Sequence, residues 1–147
     1  MEKSCKIAGL YIATLKAIYI IHQQNHWLSK GADFYGNHLL FQRLYESAQK
    51  DVDLAAEKFI GLFGDDCLDL GFQNDLLFKV INRFKGLSSD LASSSLKVEK
   101  EFLKLSEGAY KAFQDEGSMT QGLDDMILSI ASNREESVYL LQQVLKR

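Results

Sequence analysis

Proline occurs nowhere in the 147 residues. An interior proline removes a backbone donor and clashes with the preceding turn, so its absence permits long uninterrupted helices. Cysteine is scarce as well. Cys5 and Cys67 are too few for a disulfide framework and lack metal-site spacing, which predicts buried or free thiols in a reducing cytosol. A basic surplus is missing: 17 Lys and Arg stand against 20 Asp and Glu, a formal charge of −3. Nothing in that balance suggests the basic footprint on which nucleic-acid binding depends, so a nucleic-acid partner is not expected. The start, Met1-Glu2-Lys3-Ser4-Cys5-Lys6, holds two lysines and no lysine-rich arm. The apolar stretch behind it is interrupted by Lys16 and His22 and lacks a small-residue cleavage site, so no signal peptide is expected. No run approaches the ~20 apolar residues that span a bilayer. The expectation is a cytoplasmic protein with no membrane partner. Phosphate-binding glycine loops, nucleophile elbows and any Glu-x-x-His pair are absent too, which removes several enzyme classes and metal sites built within a single bundle.

What is present is apolar periodicity. A hydrophobic content of 46% and a charged content of 25% are ordinary for a globular chain, and the length fits one domain over 1–147. Ile7, Leu10, Tyr11, Thr14, Leu15, Ile18 and Ile21 recur every three or four residues, predicting a first helix from about Ser4 to Leu28. Ser29 to Asp33 breaks it, with Gly31 suited to a left-handed cap and Asp33 to an N-cap. A second helix is predicted from Phe34 to Phe63, ending at Gly64. Asp65 to Ser89 reads as a long crossover connection carrying a short helix over Gln73–Ile81. Within that connection Phe72, Leu77, Phe78 and Ile81 either pack over the bundle or serve a subunit interface, the latter only as what a family resemblance implies. A third helix is predicted over Asp90–Gln114, broken at Gly117. Ser118-Met119-Thr120-Gln121 has the capping-box pattern for the last helix, whose stripe runs from Leu123 through Arg134 to Leu145.

The chemistry concentrates between His26 and Glu57. His26 and His38 flank the Gly31 break, and Asp53 and Glu57 follow one helical turn apart. Imidazole nitrogen with carboxylate oxygen suits divalent first-row metals. Residues four apart share a helix face, so Asp53 and Glu57 can reach one point. At ~100° per residue His38, Gln42, Asp53 and Glu57 cover roughly 100° of that face, where a second helix or subunit can meet it. Each residue alone also has a plainer reading, a core histidine or a solvated acid.

The pattern His26-Trp27, Gly31, Phe34, His38, then Asp53 and Glu57, resembles that of the Dps family of mini-ferritins. The resemblance implies an all-α, ferritin-like four-helix bundle that assembles from twofold dimers into a hollow dodecamer. It implies an iron site between subunits, with His26 and His38 from one chain, Asp53 and Glu57 from the other, and Trp27 beside them. The activity implied is Fe(II) oxidation with peroxide or oxygen, followed by ferric storage that protects against oxidative damage. The chain departs from the family at Gln42, where a second Asp is usual. A neutral amide is the weaker ligand for a hard cation. His22, one turn before His26, either compensates or packs. The alternative is a structural or interaction bundle whose metal site is weakened or vacant.

Overall fold

The computed structural model describes residues 2–84 and 90–146. Five helices account for most of it: α1 (Lys3–Leu28), α2 (Phe34–Phe63), α3 (Leu70–Phe84), α4 (Leu91–Asp115) and α5 (Gln121–Leu145), with a 3-10 turn at Asp65–Leu68. Among the described residues there is no strand. The helices α1, α2, α5 and α4 form a four-helix bundle, with α3 laid across α1 in the crossover. Residues 85–89, the end of the predicted connection, lie outside the described residues.

The turns follow local chemistry more closely than the predicted caps did. Gly31, Gly64 and Gly117 take φ of 91°, 93° and 70°, the left-handed region open to glycine. Asp33 precedes α2, but its side chain caps nothing. Asp90 is the cap of α4 rather than its first residue, accepting from the Ala92 and Ser93 backbone N–H groups. The α5 cap is Thr120, which accepts from Leu123 N–H at 3.0 Å; Ser118 instead donates to the Phe113 carbonyl at the end of α4.

The crossover helix is longer than Gln73–Ile81 and packs flush on α1. A Cβ at Gly9 would lie 2.6 Å from Phe72 Cε1, so only glycine allows this approach. Gln73, fully enclosed, donates to the carbonyls of Gly9 and Cys67. Leu77 and Ile81 pack against the core, whereas Phe78 stays 69% exposed. Cys5 and Cys67 are joined in a disulfide, which corrects the thiol expectation. Their separation of 62 residues concealed that the start of α1 meets the 3-10 turn, bringing the two Cα atoms to 4.5 Å. α1 is long and apolar enough by composition to cross a membrane, yet 56% of its most apolar stretch is buried within the bundle, as in a core helix.

The interior has three layers. A large apolar cluster holds Tyr11 edge-on to Phe59 and Phe102, with Ile12, Leu15, Ile18 and Ile130 around them. A smaller one at the opposite end gathers Phe41, Leu44, Ala92 and Leu141. Each bundle helix also contributes one residue to a buried polar layer: His22 of α1, Asp51 of α2, Glu99 of α4 and Arg134 of α5.

Candidate metal centre

His26 ends α1 and His38 opens α2, and the Gly31 turn folds one onto the other. His26 Nδ1 donates to the His38 carbonyl at 2.7 Å, and His38 Nδ1 donates to the His26 carbonyl at 2.8 Å. The rings stack at 3.7 Å between centroids, 18° from parallel. The clasp has a simple cause. His26 lies in the last turn of α1, where carbonyls lack helical partners and a side-chain donor can satisfy them. A carbonyl only accepts, so each Nδ1 carries the proton, and Nε2 is the nitrogen left for a metal when the ring is neutral. Neither Nε2 has a partner among the described residues. Phe34 stacks on His38 at 4.9 Å and Tyr45 meets His26 edge-on at 5.4 Å, which fixes both rings from outside. Trp27 projects outward, 66% exposed.

Asp53 and Glu57 are exposed on α2 and have no partner among the described residues. His38 and Asp53 sit fifteen residues apart on one straight helix, about 22 Å along its axis. A single chain therefore does not bring the histidine pair and the carboxylate pair together. Consistent with this, no three His, Cys, Asp or Glu among the described residues gather closely enough to hold a metal ion. Gln42, half-buried between the two pairs, donates to Glu46 Oε1 at 3.1 Å.

His22 belongs elsewhere. It is fully buried, with Nδ1 2.9 Å from Ser95 Oγ and Nε2 2.8 Å from Glu99 Oε1. Both ring nitrogens are engaged inside the bundle, so His22 turns to α4 while His26 turns to α2; it does not supplement the His26–His38 pair. Glu99 accepts from Arg134 Nη1 at 3.1 Å, and Arg134 Nη2 donates to Ser47 Oγ at 2.6 Å. Arg134 Nε lies 3.3 Å from Asp51 Oδ2, whose other oxygen accepts from Asn133 at 3.0 Å. Asn25 adds a donor to Ser95 at 2.7 Å. Burial raises the Asp51 carboxyl above its ordinary pKa, with Arg134 and Asn133 pulling it back. Burial and the Asp51 charge together raise the Tyr11 hydroxyl as well. Metal-binding bundles place carboxylates and histidines at this central position, one or two per helix. Here a guanidinium stands between the carboxylates. The sequence reading passed over Asp51 and Glu99; the available signal was Arg134, a cation inside the apolar stripe of α5.

The fold is that of a ferritin-like four-helix bundle. It superposes on solved Dps structures. For Dps from Thermosynechococcus elongatus the TM-score is 0.82 at 16% identity, covering 99% of this chain and 92% of that one. For the Vibrio cholerae Dps, described as a member of a superfamily of ferritin-like diiron-carboxylate proteins, the TM-score is 0.80 at 16% identity, covering 98% and 89%. For Microbacterium arborescens Dps in its high iron form the TM-score is 0.78 at 15% identity, covering 98% and 93%. A curated relative, the nutrient stress-induced DNA-binding protein of Nostoc sp., is 34% identical over 56 residues; the match spans 38% of this chain and 30% of that protein's length. No family model matches the chain.

Proposed function

We propose that the chain is a Dps-type mini-ferritin that takes Fe(II) as substrate between two subunits. His26 and His38 of one subunit bind through Nε2, and Asp53 and Glu57 of the other supply anionic oxygen. Carboxylate oxygen favours Fe(III) over Fe(II), which eases oxidation. The oxidant is peroxide or oxygen; with peroxide, two Fe(II) ions give one electron each and the O–O bond breaks to two hydroxides. The ferric product is stored inside a closed shell, a dodecamer of twofold dimers.

The observation that carries the reading is the reciprocal histidine clasp. It directs both Nδ1 protons into the hairpin and, among the described residues, leaves both Nε2 atoms unpartnered, on a hairpin whose Asp53 and Glu57 are equally unpartnered. The Dps-like fold and the high iron form of one structural neighbour support iron as the metal. Nucleic acid stays outside the proposal: the Nostoc relative is named for DNA binding, whereas this chain carries a formal charge of −3.

The test is an anaerobic Fe(II) titration of wild type, His38→Ala and Asp53→Ala, followed by peroxide addition in a stopped-flow instrument. Wild type should bind Fe(II), and both variants should lose most binding and most of the oxidation rate. Equal behaviour of all three would leave the structural reading, which Gln42 favours by standing where a carboxylate ligand is usual.

A further inference from the structure

The bundle interior holds a second set of ligand-type side chains, apart from His26 and His38. His22, Asp51 and Glu99 come from three different helices, and none is more than 3% exposed. Imidazole and carboxylates on facing helices are what a bundle uses to hold a metal ion. In this chain a side chain takes the position between them. Arg134 Nη1 donates to Glu99 Oε1 at 3.1 Å, and Arg134 Nε lies 3.3 Å from Asp51 Oδ2. Bonds from such oxygens to zinc, for instance, are ~2.0–2.2 Å. With the guanidinium seated there, the carboxylates stand too far off to share an ion, and no such group gathers among the described residues.

Two features distinguish this place from an ordinary ion pair. The guanidinium leaves buried acceptors idle: Asp51 Oδ2 and Glu99 Oε2 have no hydrogen-bond partner among the described residues, and Arg134 Nε is unused as well. Idle buried polar atoms are costly and uncommon in folded proteins. The charge is also incomplete. With His22 neutral, the layer sets two carboxylates against one guanidinium, whereas a divalent ion balances both. His22 already has the outer contact that orients a metal-binding imidazole. Its Nδ1 lies 2.9 Å from Ser95 Oγ, which accepts from Asn25 at 2.7 Å, and its Nε2 is turned inward, 2.8 Å from Glu99 Oε1.

We propose that the centre of the bundle is a cation site whose resident cation is the guanidinium of Arg134, and that Arg134 thereby shuts divalent metals out of the interior. His22, Asp51 and Glu99 are the ligand set that it holds closed. The wild-type core then needs no metal, and first-row ions reach only groups at the surface. The proposal goes beyond the intersubunit reading and does not depend on it.

The experiment uses the full-length chain carrying His38→Ala, which removes one histidine of the intersubunit pair. The probes are Co(II), read by its visible absorption, guanidinium ion at low millimolar concentration, and urea, a neutral molecule of similar shape. The parent's thermal midpoint should not change with Co(II) or with chelator. Adding Arg134→Ala should lower that midpoint. Co(II) and guanidinium should each raise it again, and urea should not. This variant should bind one Co(II) per chain at least tenfold more tightly than the parent, and adding His22→Ala or Glu99→Gln should weaken that binding tenfold or more. An Arg134→Ala chain that binds Co(II) no better than its parent would overturn the proposal, whatever guanidinium does. So would binding indifferent to His22 and Glu99, rescue by urea equal to that by guanidinium, or a chain that stays unfolded by circular dichroism with both cations present. The intersubunit reading fails separately: it is tested by Co(II) bound to wild type and lost with His38→Ala, a comparison in which Arg134 is untouched.

Discussion

Arg134 and Glu99 meet at 3.1 Å in the middle of the bundle, and neither side chain touches solvent. The same guanidinium holds Ser47 at 2.6 Å and lies 3.3 Å from Asp51, so one cation ties α5 to both α2 and α4. Removing one partner of a buried ion pair strands the other charge away from water, which costs about 3–5 kcal/mol. Arg134→Met should therefore lower the unfolding free energy by about that amount in urea titrations. Arg134→Lys should recover only part of it, since an ammonium cannot span three partners as a planar guanidinium does. A loss below ~1 kcal/mol for Arg134→Met, the range of exposed pairs, would show that the layer contributes little.

Asp51 gives this layer a pH dependence of definite sign. Loss of hydration raises its carboxyl above the ordinary 3.8, outweighing the pull of Arg134 and Asn133. The folded chain then holds the proton more tightly than the unfolded one. The corresponding stability is fully present below pH 3.8 and is lost as pH rises through the raised value. Asp51→Asn cannot ionise, so wild-type stability relative to this variant should fall across that window and then level off. Urea midpoints measured over a pH series check this. A difference that grows with pH would mean that the Arg134 attraction dominates.

Gln42 divides the two functional readings. Gln42→Asp adds a carboxylate beside Glu46, which Gln42 contacts at 3.1 Å. Without metal the added anion repels its neighbours and should lower the thermal midpoint of the assembled protein. With Fe(II) it supplies a harder ligand and should raise affinity and the initial oxidation rate. Calorimetric titration under nitrogen measures the first and stopped-flow absorbance the second. A variant that binds no more tightly than wild type would show that position 42 lies outside the metal's reach.

The Cys5–Cys67 disulfide closes a loop of 62 residues between the start of α1 and the turn after α2. Cross-links of this span stabilise by about 2–4 kcal/mol, chiefly by restricting the unfolded chain. Denaturation in reducing buffer should reveal a loss of that size. The variant Cys5→Ala/Cys67→Ala should show the same lowered stability with or without reductant. Equal stability of the oxidised and reduced wild type would mean that packing alone holds α1 to the turn.

The helices themselves were legible in the sequence, because apolar spacing at three and four residues reports a buried face directly. Without proline, and with Gly31, Gly64 and Gly117 at the breaks, the boundaries of α1 and α2 fall within a residue of where the pattern puts them. The pairing of His26 with His38 was half legible. Their flanking of a short turn implies proximity, but the exchanged Nδ1–carbonyl bonds depend on how the last turn of α1 meets the first turns of α2. Tertiary structure decided the rest, since it determines which face of each helix turns inward. Helical spacing puts His22 and His26 only about 40° apart, yet one is sealed against α4 and the other faces α2. Asp51 and Asp53, two residues apart, point to opposite destinations, the buried layer and the open surface. Arg134 could be seen as a charge in an apolar stripe, but its partners come from helices distant in sequence. Only packing four helices around one layer makes a guanidinium, two carboxylates and an imidazole neighbours.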